Sequence, residues 1–291
     1  MSGPLAPVKF IAVMGLTGTG KTSFINAMSG SQLETSHSLK SCTKTVVSAP
    51  MNHDLGRDIL TQIAAYLQFL TVGKLHLTGL LYFYNVSHVR AGKSAVRNIR
   101  TFRRLVGDAN MNNVVLVTTR WDLAKDEKEE VLQRRVGELE SEDGFWGGMM
   151  QLGARHEKLK DVERDGKIIL ESLVGKETVE VQLQSELREG RRLADTAAGQ
   201  IVNEEVKKLQ RAHEKEMASL LKDLEDARNE GHVADVAVLD KEREKMEEER
   251  VKLNQALLES KEDEIKKLKE QLLQQARQNL DVDARRVCVI L

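Results

Sequence analysis

A glycine-rich segment near the start of the chain has the residue types and the spacing of a phosphate-binding loop. It reads GLTGTGKT from Gly15 to Thr22 and fits G-x-x-x-x-G-K-[ST] at every position. Glycines let the backbone approach closely, so that successive N–H groups can face phosphate oxygens. We expect Lys21 to reach the β and γ phosphates and the Thr22 hydroxyl to ligate Mg²⁺. The predicted phosphate-binding residues are Gly15, Thr17, Gly18, Thr19, Gly20, Lys21, Thr22 and Ser23.

A P-loop does not select the base, so a second motif must do so. Thr119-Arg120-Trp121-Asp122 follows an apolar run and looks like the [NT]-K-x-D guanine motif of GTPases. Asp122 can accept hydrogens from N1 and from the exocyclic amine of guanine, which adenine cannot supply, while the stem of Arg120 can cover the ring. We therefore predict that Thr119, Arg120 and Asp122 bind guanine. One alternative stays open, in which Asp122 only caps the following helix.

A threonine between the P-loop and the next helix is the second candidate for the Mg²⁺ site. In Ser41-Cys42-Thr43-Lys44 we predict that Thr43 joins Thr22 as a Mg²⁺ ligand when a γ phosphate is present. Thr45 is an alternative ligand, and an ordinary loop role for Thr43 also stays open. The histidines and cysteines show no metal-ligand spacing, so we predict no metal besides nucleotide-bound Mg²⁺.

The elements that must position these residues are alternating strands and helices. Apolar runs at 8–14, 79–86 and 113–119 predict strands, and helical periodicity precedes the second and third of them at 58–70 and 94–106. This alternation predicts an α/β fold, with a parallel sheet covered by helices on both faces. The P-loop lies between a strand and a helix, as its mechanism requires.

The second half of the chain has a different character, because all eleven aromatic residues lie at or before Trp146. Residues 201–280 hold 16 Lys plus Arg and 20 Asp plus Glu, with apolar residues and His213 at heptad spacing. We predict a coiled-coil region over 175–280, in two segments because Gly231 interrupts the register. A helix folded back on the first domain and a solvated charged helix stay open as alternatives. The apolar positions are Met217, Leu220, Leu224 and Ala227 in one run and Val251, Leu258, Ile265, Leu268 and Leu272 in another.

Several segments together resemble the septin-like, immunity-associated GTPases, in particular the fungal G-domain proteins with a C-terminal coiled coil. They are MGLTGTGKTSFIN, SCTK, LTGLLYFYNVSHVRAG, NVVLVTTRWD and ADTAAG. The resemblance runs from about residue 8 to about residue 200, and the P-loop is its most specific element. It implies a Ras-like P-loop sheet, binding of GTP or GDP with Mg²⁺, and nucleotide-linked dimerisation. The corresponding division is a G domain over 8–174, a helical region over 175–280 and a tail over 281–291.

The chain departs from this family between Thr45 and Asp58, where the family has a D-x-x-G motif and further strands. Only VVSAPMNHDLGR is available there, and Asp54-Leu55-Gly56 is one residue too short. The family's Asp orients the Mg²⁺ shell and its Gly senses the γ phosphate, so the departure predicts weak or absent hydrolysis. It also predicts a sheet that lacks one strand and exposes part of the first strand's edge.

Two origins of this gap over 46–58 stay open: a natural, hydrolysis-deficient paralogue, or the loss of a coding segment. We favour a clean excision, because the pattern resumes without decay at 58–70. Two alternative functions also stay open. One is an active NTPase in which Asp54 or Asp58 replaces the missing Asp, and the other is a scaffold that binds no nucleotide.

The charge balance and the C-terminal residues bear on partners and location. A formal net charge of −1 gives no reason to expect a nucleic-acid partner, and two distant cysteines favour a reducing, cytoplasmic compartment. Cys288-Val289-Ile290-Leu291 matches C-a-a-X, so we predict geranylgeranylation of Cys288 and reversible membrane association. A chance apolar C-terminus stays open. The coiled coil and the G domain both predict a homo-oligomer.

Overall fold

A parallel sheet forms the centre of the protein. The computed structural model describes residues 9–29, 57–87, 93–122, 129–141, 145–255, 262–278 and 288–290. The sheet has five strands in the order β4-β3-β2-β1-β5, and each adjacent pair is parallel. The strands are β1 (Phe10–Gly15), β2 (Leu77–Asn85), β3 (Val114–Thr119), β4 (Arg155–Lys158) and β5 (Cys288–Ile290).

Helices connect the strands and form most of the second half. Short 3-10 turns cover Asp108–Asn113 and Leu193–Asp195. Thr196 caps α8, where its hydroxyl accepts the Gly199 N–H. The α-helices of the described residues are α1 (Lys21–Ser29), α2 (Arg57–Val72), α3 (Lys93–Val106), α4 (Glu129–Ser141), α5 (Gly147–Gln151), α6 (Val162–Val174), α7 (Gln182–Arg188), α8 (Ala197–Asn229), α9 (Val233–Gln255) and α10 (Glu262–Gln278).

The central strands are apolar on both sides because helices cover both faces of the sheet. On one face, Phe24 of α1 and Leu173 of α6 pack against β1, β2 and β3. The larger core on the other face takes in residues of α2, α3, α7 and α8. At Gly79 of β2 a Cβ would lie 2.6 Å from a methyl carbon of Leu173, so α6 packs directly on the sheet. The predicted α/β class, with a parallel sheet between helices, is confirmed.

The first heptad run of the charged region packs within the chain. Helices α8 and α9 form a hairpin whose turn contains Gly231 at φ 75°, a conformation that favours glycine. Leu220, Leu224 and Ala227 are buried, and Arg228 pairs with Asp240 across the turn at 3.3 Å. His213, expected among the apolar positions, is also buried. The predicted break at Gly231 is therefore present, and the apolar stripe of α8 has a partner in α9.

The apolar residues of the second heptad run lie in different environments. Val251 in α9 is 48% exposed, whereas Ile265 in α10 is buried and belongs to the core beside the sheet. Helix α10 packs against α2, and Leu268 is packed against the same core. Folding back onto the first part of the chain was one of the open alternatives, and α10 follows it. A supercoil between chains stays a prediction.

The edge of β1, expected to be partly exposed, carries β5. Cys288, Val289 and Ile290 pair with Phe10, Ile11 and Ala12 in parallel register. Unpaired N–H and C=O groups on a strand edge are a template for a further strand, which gives the physical reason for this placement. The predicted geranylgeranylation of Cys288 requires a tail open to the modifying enzyme, whereas three residues of the tail form a strand here. Within the described part of the chain, no helix has both the length and the apolar character needed to cross a membrane.

The hairpin predicts different effects for two neighbouring leucines of α8. Leu224 is 3% exposed and Leu221 is 47% exposed. We expect Leu224→Ala to lower the free energy of unfolding of the hairpin by about 2–4 kcal/mol, because it leaves a cavity against α9. Leu221→Ala should change it by no more than about 0.5 kcal/mol. Urea unfolding followed by far-UV circular dichroism measures both, and equal effects would contradict the packing of this face against α9.

Candidate nucleotide-binding site

The P-loop begins at a point where β1 touches β2 without room for a side chain. Gly15 has φ 143°, and a Cβ there would lie 2.4 Å from the carbonyl oxygen of Phe83. Gly18 and Gly20 follow with φ 81° and 88°, in the region that favours glycine. The three glycines of the motif are thus required by the backbone path, which turns sharply from the strand into α1.

Helix α1 points its N-terminus at the loop. The Phe24 N–H donates to the carbonyl of Gly20 at 3.0 Å, so the first backbone N–H groups of the helix lie before this bond. Such groups have no partner within the helix and carry a positive potential. The first turn contains no acidic residue, Thr22 is half-buried there and Ser23 is exposed. An anion at this end of the helix would find donors and no opposing charge in that turn.

The Lys21 ammonium folds back over the loop. It donates to the carbonyl oxygens of Gly15 at 2.9 Å and Leu16 at 3.0 Å. Burial of the ammonium lowers the pKa of Lys21 to about 8. Both acceptors are neutral carbonyls, so among the described residues the positive charge is oriented without being neutralised by a carboxylate. A phosphate group placed against the loop would supply the missing negative charge.

The predicted base motif lies beside the P-loop, and hydrogen bonds join the two. The Thr119 hydroxyl donates to the carbonyl of Thr19 at 2.8 Å and to that of Tyr84 at 3.3 Å. Arg120 Nε reaches the carbonyl of Gly18 at 3.4 Å. Arg120 has φ 61°, a strained conformation for a residue with a side chain and one that is frequent at functional sites. Asp122 is exposed, so its carboxylate is available to a ligand.

Three residues that the sequence analysis did not assign lie next to this loop. Trp121 is buried and donates from Nε1 to the carbonyl of Thr118 at 3.1 Å. The ammonium groups of Lys158 and Lys160 lie 5.5 Å and 5.0 Å from its ring centre, within range of a cation–π contact. Strand β4 is short and largely open to solvent, so the sequence contains no apolar run here that would predict a strand.

A buried histidine supports the end of β3 from β4. His156 Nε2 lies 2.9 Å from the Thr118 hydroxyl, and Nδ1 lies 2.6 Å from a carboxylate oxygen of Glu140. Burial lowers the pKa of His156, although the contact with Glu140 acts in the opposite direction. Glu140, His156 and Thr118 have the residue types of a nucleophile with its base. The Thr118 side chain is fully buried, however, so this group holds β3 in place rather than meeting a ligand.

Some of the other predicted site residues are described by the structure, and the rest lie outside the described residues. Thr17 is exposed on the P-loop and Thr19 is buried in it, with its hydroxyl donating to Leu16 at 2.8 Å. Cys288 lies in β5, on the outer side of β1. Among the described residues, no group of three or more His, Cys, Asp or Glu side chains is arranged to hold a metal ion. Thr43, Thr45 and Asp54 lie outside the described residues, as does the side chain of Asp58.

The depressed pKa of His156 predicts a loss of stability in mild acid. In the unfolded chain the His156 imidazole takes up a proton near pH 6.5, whereas in the folded protein it does so only at lower pH. The free energy of unfolding therefore increases as the pH rises toward and through 6.5. We expect this slope to be weaker in His156→Gln, which cannot be charged. The free energy of unfolding measured in urea between about pH 5 and pH 8 tests this. A steeper slope in the variant would contradict the direction of the shift.

The ends of β1 and β3 together offer what an anionic ligand with a polar ring requires. Backbone donors and a lysine ammonium lie at one end of the site, and an exposed carboxylate lies on the adjoining loop. Comparison with known protein families finds none that matches the chain, and no curated protein matches it either.

Proposed function

We propose that the protein binds GTP or GDP with Mg²⁺ and belongs to the septin-like class of GTP-binding proteins, with a Ras-like sheet. The observation that carries this proposal is the pair of hydrogen bonds from Lys21 to the loop carbonyls of Gly15 and Leu16. They hold a cation at the N-terminus of α1, on the loop that begins at the end of β1. A ligand with several phosphate charges is the chemistry that this arrangement favours.

In the proposed complex, both backbone groups and side chains contact the phosphates. The loop N–H groups and the first turn of α1 would surround the phosphates, and the Lys21 ammonium would exchange its carbonyl partners for phosphate oxygens. The half-buried Thr22 hydroxyl in that turn is the proposed Mg²⁺ ligand. Thr43 remains the proposed second ligand when a γ phosphate is present. The bound Mg²⁺ would neutralise charge on the phosphates.

In the proposed complex, the base lies against the loop that follows β3. Thr119 and Arg120 bond to the carbonyls of Thr19 and Gly18, so the base loop and the phosphate loop cannot move independently. Asp122 lies exposed two residues beyond Arg120, and its carboxylate accepts two hydrogens from guanine in the proposed complex. Guanine offers these donors and adenine does not. Selection of the base therefore rests on Asp122.

Hydrolysis is proposed to be weak or lost, because the sequence has no D-x-x-G motif. An NTPase that uses Asp54 or Asp58 instead would release phosphate in steady state. We also propose self-association through the nucleotide-binding part or through the helices, including a coiled coil. Reversible membrane association through a lipid on Cys288 belongs to the same proposal, as does a cytoplasmic location.

Removal of the Lys21 ammonium should abolish phosphate recognition. We expect Lys21→Ala to weaken the binding of fluorescent GDP at least about tenfold, since a hydrogen bond to a charged group contributes about 1.5–3 kcal/mol. The wild-type affinity should also fall as the pH rises above about 8, where the Lys21 ammonium of the free protein loses its proton. Fluorescence titration with Mg²⁺ measures both. Equal affinity of the folded variant and the wild type would contradict the proposal, and binding by neither would favour the scaffold alternative.

Selectivity for guanine should depend on the carboxylate of Asp122. Asp122→Asn keeps the shape of the side chain but replaces one acceptor with a donor, so it opposes the guanine amine. We expect GDP to bind at least about tenfold more weakly, while ADP affinity stays unchanged. Competition titrations of GDP and ADP against fluorescent GDP measure the ratio. A parallel loss of both affinities would instead assign Asp122 a structural role, as the helix-cap alternative requires.

A further inference from the structure

The outer edge of β1 is only partly filled. On its inner side β1 pairs with β2 along its whole length, from Phe10 to Gly15. On its outer side it pairs with Cys288–Ile290 over three residues, opposite Phe10, Ile11 and Ala12. Among the described residues, positions 13–15 of β1 have no ladder partner on that edge. Within the described part of the chain, β5 therefore covers only half of the outer edge of β1.

Strand β1 has none of the residues that commonly prevent an edge strand from pairing with another strand. Phe10, Ile11, Ala12 and Val13 are buried, and the strand contains neither a charged residue nor a proline. Natural edge strands commonly carry such residues because an apolar strand with free N–H and C=O groups attracts other strands. In this chain the protection comes from a separate strand, β5. As far as the described residues show, removal of β5 leaves this edge of β1 unpaired.

The attachment of β5 is slight. Among the described elements, its only extensive contact is with β1. The residues 279–287 separate it from α10, which is itself held through the buried Ile265. Elements with few contacts open at a small free-energy cost, whereas core elements open only with the whole fold. Strand β5 can thus leave β1 while α10 stays on α2.

We infer that the outer edge of β1 is a strand-docking surface, which Cys288–Ile290 of the same chain fills at low protein concentration and Cys288–Ile290 of a second copy fills at high concentration. Exchange of an identical element reproduces every backbone bond of the single chain, so its cost is low. The occupant is a second copy because this three-residue sequence already fits the register with 10–12. Reciprocal exchange closes a symmetric dimer, with the same interface made twice.

A disulfide across the ladder tests both forms of the interface. Adjacent strands lie about 4.7–4.9 Å apart, within the range of about 4.4–6.8 Å between the Cα atoms of a disulfide. Because Phe10 pairs with Cys288, Phe10→Cys in a Cys42→Ser background places two cysteines opposite each other. The full chain is held dilute or concentrated before mild oxidation, alkylation and non-reducing electrophoresis. Peptide mapping then identifies the 10–288 bond.

We expect the 10–288 disulfide within monomers in the dilute sample and between chains in the concentrated one. The matched control is Phe10→Cys with Cys288→Ser, in which neither product can form. A disulfide confined to monomers at every concentration would overturn the exchange. Absence of the 10–288 bond in a protein that keeps the wild-type circular dichroism spectrum would overturn the docking surface itself. None of these readouts depends on nucleotide binding.

A second pair of variants covers the case in which loss of the buried Phe10 side chain prevents folding. Val289→Pro with Ile290→Pro removes the backbone donors of β5, while Val289→Ala with Ile290→Ala keeps them. Sedimentation should show that the fraction of dimer at high concentration is the same in the wild type and the alanine pair and lower in the proline pair. Hydrogen exchange should be faster at residues 10–12, which β5 covers, in the proline pair alone. Unchanged dimerisation and exchange in the proline pair would overturn the inference.

Discussion

The contact of Gly15 with the backbone of Phe83 is the constraint on which the candidate site depends. Because a Cβ at Gly15 would lie 2.4 Å from that carbonyl oxygen, the last residue of β1 has no alternative to glycine. This fixes where the chain leaves the sheet and, through the turn that follows, where α1 begins. It also brings the carbonyls of Gly15 and Leu16 to the Lys21 ammonium. The orientation of the charge is therefore a consequence of strand packing.

The electrostatics of the loop follow from that geometry. A buried ammonium that donates to neutral carbonyls is less well stabilised than one in water, which is why burial lowers the pKa of Lys21 to about 8. No described carboxylate pairs with this ammonium, so an anion placed against the loop would stabilise its charge. The bonds of Thr119 and Arg120 to the P-loop hold the neighbouring loop at a fixed distance from this charge. A ligand that extends from phosphate to base would thus meet two loops that are already joined.

Local patterns in the sequence sufficed to predict the elements around the P-loop. Strands at 8–14, 79–86 and 113–119 have their counterparts in β1, β2 and β3, because a strand buried on both faces must be a continuous apolar run. The support of β3 by His156 could not be predicted in this way. Its partners Glu140 and Thr118 are distant in sequence, and polar residues on the short, open strand β4 carry no periodic signal. The same holds for Lys158 and Lys160 beside Trp121.

The charged second half shows why heptad spacing predicts a helix but not what the helix packs against. An apolar stripe indicates only that one face of the helix must be buried. The surfaces that the fold leaves available determine what that face packs against. Leu224 of α8 is buried where α9 packs on it, whereas Ile265 of α10 belongs to the core beside α2. Strand β5 covers part of the edge of β1. Helix α10 packs against α2 and β5 pairs with β1, so the last described elements of the chain contact two of the first ones. When α10 covers apolar surface of α2 and β5 pairs with the edge of β1, less apolar area and fewer strand-edge groups are left to associate with other chains.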